Sequence, residues 1–227
     1  MEPEALALTL PIRRLVEFLL RTGSIDSRFT GFDRANEGAR IHRKLQRAAV
    51  KEHADYAAEV FLRGIFAYEE IEFTLEGRAD GIFTAADGVT VVDEIKTTAC
   101  PAADITPDFA PEHWAQAIVY AAIYAAQHEL EEMRVQLTYF QVDEELILRF
   151  EQHYTAQQLQ EEVEALLAEY APWARRAVEW KKARNSDLQA MQFPFPAYRA
   201  RWRARYTKCA GTAAGFCARH QPGLVNP

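Results

Sequence analysis

Asp87-Gly88 is the strongest local constraint in the chain. An Asp-Gly pair between two runs of β-forming residues reads as the tight turn of a β-hairpin, because such turns need positive φ and glycine adopts it without strain. Residues 78–84 before the turn and Val89 to Lys96 after it then lie side by side as antiparallel strands. Side chains alternate faces along a strand. Glu94 and Lys96 therefore point one way and Ile95 the other, and Asp80 on the partner strand can face the side of Glu94 and Lys96. One hairpin gathers two carboxylates and an amine at one place on a sheet.

The rest of the chain supplies the layers around that hairpin. Leu6, Leu8 and Leu10 alternate as in a short strand, Pro11 sits where a first helical residue would, and Leu15, Phe18 and Leu19 have helical spacing, with Gly23 as the stop. A second helix is predicted from about Arg34 to Ala57, carrying Ile41, Leu45 and Ala49 on one face with His42 beside it. Alternation at Val60 and Leu62, and again at Ile71, Phe73 and Leu75, predicts two strands, with residues 78–84 as a further one. A proline-marked loop then leads to an alanine-rich helix over 112–129, to strands at about 133–141 and 145–150, and to a long helix opened by Thr155 with Gln158 as a capping box and bent at Pro172. Helices, a strand cluster, then helix, strands and helix make an α/β (α+β) domain with a central mixed β-sheet flanked by helices.

Charge narrows the partners. The net charge is −7, which alone argues against nucleic acid. It is unevenly spread: residues 173–227 hold 11 Lys and Arg against Glu179 and Asp187, while residues 1–172 hold 15 basic and 31 acidic residues. The tail is either a solvated segment or a source of phosphate contacts. No apolar run is long enough for a membrane helix, no secretion signal is read, and Cys100, Cys209 and Cys217 are too few for a disulfide framework, so the expected compartment is the cytoplasm with no membrane partner.

The cluster of Asp80, Glu94 and Lys96 has a chemical use. Hard divalent cations such as Mg²⁺ take carboxylate oxygens together with water and phosphate oxygens. A lysine beside them can orient a water or stabilise charge on a phosphoryl group, and the Ile95 carbonyl could add an oxygen ligand. The triplet alone is also the pattern of a solvent-facing strand with a surface salt bridge.

Two flanking elements extend it: Glu37-Gly38-Ala39-Arg40-Ile41-His42 on the helix before the sheet, and Gln116 and Tyr120 four apart on one face of the helix after it. Together these residues resemble the PD-(D/E)XK nuclease superfamily, in its RecB-like branch, which has a helical histidine, a Gly-x-x-Asp strand, a Glu- or Asp-x-Lys strand and Gln-x-x-x-Tyr in this order. The resemblance implies a restriction-endonuclease-like core and a Mg²⁺- or Mn²⁺-dependent deoxyribonuclease, an exonuclease of single-stranded DNA or DNA ends in repair or processing. It implies metal ligation by His42, Asp80 and Glu94, with Lys96 catalytic; the Ile95 carbonyl is the further expected ligand, and Asp80 and Glu94 are expected to share in catalysis. Gln116 and Tyr120 are implied to line the DNA path or brace the site. From position alone, Glu37, about one turn before His42, is a candidate to stand behind the ligands, and Tyr120 and Trp114 could stack on unpaired bases, with core packing the expected role of Trp114. The alternative is a catalytically silent DNA-binding or recruitment domain that works only beside a helicase motor.

Residues 15–26, Trp114-Ala115-Gln116 and Leu137-Thr138-Tyr139 resemble the nuclease domain N-terminal to DinG/Rad3-like helicases, and Phe193-Pro194-Phe195-Pro196-Ala197-Tyr198-Arg199 resembles the adenine-contacting motif that opens the motor there. The glutamine that this motif would place near Trp202 is absent, and no Gly-Lys-Ser/Thr loop follows. The expected division is a nuclease domain over 1–192 and a basic tail over 193–227. The tail is a novel segment, an artefact or a frameshifted remnant of a helicase gene, and it is expected to be disordered or to contact DNA. Related nucleases carry a four-cysteine iron–sulfur cluster; with three cysteines, no cluster is expected.

Overall fold

In the computed structural model, residues 6–21 and 32–190 are described. Contacts divide the chain into two compact units, residues 1–172 and 173–227. All six strands lie in the first. Gly23, the 193–199 motif, the tail that follows it, Cys209 and Cys217 lie outside the described residues.

Strand β1 (Leu6–Pro11) runs into helix α1 (Ile12–Leu20), and α2 (Phe32–Glu52) follows. Strands β2 (Ala57–Tyr68), β3 (Ile71–Thr84) and β4 (Thr90–Thr98) form a meander, α3 (Pro111–His128) crosses back over the sheet, and β5 (Glu132–Gln141), β6 (Leu146–Thr155) and α4 (Ala156–Ala190) complete the described chain. The β3–β4 turn is the one expected, with Gly88 at φ 86°. The sheet is mixed: β1 is parallel to β3 and β4 to β5, while the other pairs are antiparallel. A six-stranded mixed sheet flanked by helices is the α+β, restriction-endonuclease-like arrangement expected from the sequence.

The alternation in β4 sets the two layers. Val91 and Ile95 face α2, and Ile95 packs with Ile41, Leu45 and Phe140. On the opposite face Leu137, Tyr139 and the α3 residues Val119 and Ile123 are buried, and Tyr170 of α4 meets Phe18 and Phe73 edge-on.

Several boundaries differ from the sequence reading; β6, for one, runs to Thr155 rather than about 150, and three others have a clear physical reason. Pro11 closes β1 rather than opening α1, because its ψ of 128° is extended. Helix α2 stops at Glu52, not Ala57: His53 N donates to Ala49 O at 2.7 Å to close the last turn, and the chain then turns to bury Tyr56 against Phe83 and Val91. The two strands read over 71–84 are one strand of 14 residues.

The start of α4 is as expected. Thr155 Oγ1 accepts from Gln158 N at 3.2 Å, and Gln158 Oε1 accepts from Thr155 N at 2.9 Å, a reciprocal capping box. Thr155→Ala removes the side-chain acceptor and should lower stability by about 1 kcal/mol. Chemical denaturation checks this, and an unchanged midpoint with an unchanged slope would show that the box is ornamental.

Candidate active site

The site begins as a gap in hydrogen bonding. One edge of β3 is held by β1 from Ile71 to Glu76 and by β4 from Gly81 to Thr84. Gly77, Arg78, Ala79 and Asp80 lie between, with neither strand on that edge. Past Gly81 and Asp93 the two strands of the hairpin part, and β4 goes on beside β5 alone. The result is a notch of about 320 Å³ walled by Pro11, Gly77, Asp80, Glu94, Gln116 and Tyr120. It adjoins a cleft of about 960 Å³ that reaches His42, Arg43, Glu59, Lys96 and His113.

Asp80 fills the break in the ladder with its side chain. Its Oδ2 accepts from Ile95 N at 2.8 Å, in place of a backbone partner, and its Oδ1 lies 3.4 Å from His42 Nδ1. In an extended strand the N–H and C=O of one residue leave on the same edge, so the Ile95 carbonyl is directed to the Asp80 side. The Asp80 contact is the leading cause that raises the His42 pKa, opposed by burial.

Glu94 is 2% exposed. Its Oε1 accepts from Lys96 Nζ at 2.7 Å, and its Oε2 is buried with no hydrogen-bond partner. Burial pushes its carboxyl up to about 7, with Lys96 opposing and Asp80 reinforcing. Lys96 also donates to Gln116 Oε1 at 3.1 Å. An ammonium has three donors, so one remains for the cleft. Gln116 in turn faces Tyr120, its Nε2 donating to Oη at 3.5 Å. Tyr120 rests where Gly77 has no side chain: a Cβ there would stand 2.6 Å from its Oη.

The structure thus brings His42, Asp80, Glu94, Ile95, Lys96, Gln116 and Tyr120 to one place. Trp114 packs in the core as expected, 7% exposed with its indole N–H donating to Pro107 O at 2.7 Å, and Tyr120, 3% exposed, offers no ring face for stacking. Glu37 is exposed and lines a groove with Lys44 and Phe140 rather than the notch.

Other residues at the site are not marked by the sequence motifs. Gln46 Nε2 donates to Asp80 O at 3.0 Å and to Glu59 Oε1 at 3.1 Å, tying α2 to both strands. It lies four residues after His42, the same one-face spacing that singles out Gln116 and Tyr120. Glu59 holds a left-handed φ of 56° beside the cleft. His113 meets Tyr139 Oη at 2.9 Å, and burial lowers its pKa to about 3, leaving the ring neutral. Behind the site, Asp93 accepts from Thr138 Oγ1 at 2.6 Å, Gln136 Nε2 at 3.0 Å and Tyr56 Oη at 3.3 Å. Burial, the largest influence on this carboxyl, raises its pKa despite those bonds.

Among the described residues no group of three or more His, Cys, Asp or Glu side chains is arranged so that it could hold a metal ion. The donors still suit a hard cation. Glu94 Oε2 is an acceptor with nothing to accept from, and Asp80 and His42 stand across the notch from it. No described helix is long and apolar enough to cross a membrane.

A family model described as the PD-(D/E)XK nuclease superfamily matches residues 12–213. Solved structures that align with the chain include SSO0001, at 17% identity over 74% of this chain and 78% of that one with a TM-score of 0.45. They also include the alkaline exonuclease LHK-Exo from Laribacter hongkongensis, at 12% identity over 79% and 94% with a TM-score of 0.42. The same enzyme in complex with dAMP aligns at 14% identity over the same shares, again with 0.42. No curated protein matches the chain.

Proposed function

Because the chain belongs to the PD-(D/E)XK nuclease superfamily, we propose that it is a divalent-metal-dependent deoxyribonuclease working at the β3–β4 notch. One observation carries the reading: a buried carboxylate oxygen of Glu94 stands without a partner, between a lysine and a second carboxylate. A buried carboxyl oxygen left unmatched is costly, and such costs gather where a ligand removes them. His42, Asp80, Glu94 and the Ile95 carbonyl would hold Mg²⁺ or Mn²⁺. The ion, when bound, supplies a Lewis acid to the scissile phosphate.

The chain's own residues do the rest. Asp80 is fixed from both sides, by the Ile95 amide on one oxygen and by His42 near the other. Lys96 is held by Glu94 and Gln116, which aim its remaining donor at the cleft, where it orients water or stabilises negative charge building on phosphate. Gln116 and Tyr120 brace that lysine. Neutral His113, beside Tyr139, adds no positive charge to compete with Lys96. The substrate class is single-stranded DNA or DNA ends, and exonuclease action is the proposed mode.

The test is cleavage of end-labelled single strands and duplex ends with Mn²⁺, with and without chelator. The wild type should cut only when the ion is present, and Lys96→Ala should lower the rate about 10²-fold, the scale of losing one charge-stabilising donor. No cleavage by the wild type at high enzyme concentration with Mn²⁺ would overturn the enzyme reading in favour of a silent DNA-binding domain. Activity restored only by an added helicase motor would favour the recruitment alternative.

A further inference from the structure

We infer that the outer face of α2 is a track for the DNA backbone, leading a strand into the cleft past Arg43. The inference rests on the nuclease reading and names the surface by which its substrate is held.

Arg40, Arg43, Lys44, Arg47 and Lys51 fall at helical spacings that put all five on one stripe, at 100° per residue within about 100° of arc. The opposite face of α2 carries Ile41 and Leu45 into the core. All five side chains are exposed. They line an open groove of about 760 Å³. Between residues 40 and 51 there is no acidic residue, although residues 1–172 hold 31 acids against 15 bases. A third of the bases in that acidic body therefore stand on three turns of one helix.

A solvated helix face interleaves signs at i,i+3 and i,i+4, because opposite charges there attract and like charges repel. Here every such neighbour pair within the stripe is like-charged. None of the five makes an ion pair with an acid among the described residues, and Lys44 lies over the Phe140 ring at 5.7 Å. Glu37 and Glu145 line a neighbouring groove with Arg40 and Lys44 without pairing with either, and a face that accepts self-repulsion with no ion pair of its own among the described residues fits an external polyanion. Arg40 to Lys51 span about 16 Å at 1.5 Å per residue, the length of about five phosphates of one strand at 3.4 Å each. Arg43 belongs to both this groove and the cleft that holds His42 and Lys96, so the two surfaces are continuous.

The experiment measures binding of a 30-nucleotide single strand by fluorescence anisotropy, without metal, across 25–200 mM salt. It compares wild type with Arg40→Glu/Arg47→Glu, with the milder Arg40→Gln/Arg47→Gln, and with Arg63→Glu/Arg149→Glu as a reversal of equal charge elsewhere. The stripe reversal should raise Kd at least 30-fold at 50 mM salt. It should also flatten the slope of log K against log salt by about 1.4, at about 0.7 for each single-strand phosphate no longer neutralised. The glutamine pair should flatten it similarly with a smaller rise in Kd, and the control should change Kd less than threefold. Thermal midpoints within 2 °C of wild type show that the variants are folded; if the reversal is not, the glutamine pair decides. A wild type that binds and a stripe variant with the same Kd and slope overturn this inference alone. A wild type that binds no single strand at 25 mM salt overturns it as well, whereas the nuclease reading stands or falls on the Mn²⁺ cleavage assay.

Discussion

Glu94→Gln is expected to abolish cleavage, by at least 10³-fold in kcat/KM, while the metal-free protein keeps a thermal midpoint at or above that of the wild type. The loss follows from chemistry: an amide presents a neutral oxygen and an N–H where two anionic oxygens stood, and a hard cation discriminates against that. A 10³-fold loss corresponds to about 4 kcal/mol of transition-state stabilisation. The retained stability follows from burial. The wild-type carboxylate is 2% exposed and one of its oxygens has no partner. Glutamine is isosteric, its carbonyl can still accept from Lys96, and burying a neutral group costs less than burying a charged one. Lys96 keeps Gln116 as a second acceptor. Activity lost together with several degrees of melting temperature would instead mark Glu94 as a structural ion-pair residue.

The second large effect is on folding. At Gly81 an added Cβ would stand 1.9 Å from Tyr56 Oη and 2.2 Å from its Cζ. No small shift relieves that, because both atoms belong to a rigid ring stacked on Phe83 and hydrogen-bonded to Asp93. Gly81→Ala must evict the ring and leave the buried Asp93 one donor short. Overpacking of this kind costs roughly 1–3 kcal/mol, and a missing partner at a buried polar group about as much again. A destabilisation of about 3 kcal/mol is expected by denaturant unfolding. Tyr56→Ala in the same chain removes the clash, so the double variant should lose less than the sum of the two single losses, by about 1–3 kcal/mol. Additive losses would place the cause elsewhere.

Much of this is legible in the residues themselves. The Asp87-Gly88 turn fixes the hairpin, and with it the order of Asp80, Glu94 and Lys96, because a tight turn leaves little freedom in what it joins. The family resemblance gathers His42, Gln116 and Tyr120 to the same centre. What the residues do not show are consequences of distant pairing. The break in alternation at Gly77 to Asp80 reads as a strand end, yet β3 continues through it; the pattern lapses because that stretch passes from β1 to β4 and packs against Tyr120. The early end of α2 cannot be read from residues that favour helix, since the competing demand comes from Phe83 and Val91. Gln46 does carry a readable signal, its spacing of four residues from His42, but only the bond to the Asp80 carbonyl gives that spacing a meaning.

The notch has a consequence for the order in which the molecule assembles. Its carboxylates and lysine sit on a hairpin whose strands are close in sequence, but the wall that ends at Pro11 depends on β1, which pairs Leu6 with Ile71, 65 positions away. Local pairings form early and distant parallel ones late, because the long loop must close before its contacts stabilise anything. The chain is therefore expected to bring Asp80, Glu94 and Lys96 together before their enclosure exists, and the docking of the six-residue β1 is then the step that turns a charged hairpin into a walled notch.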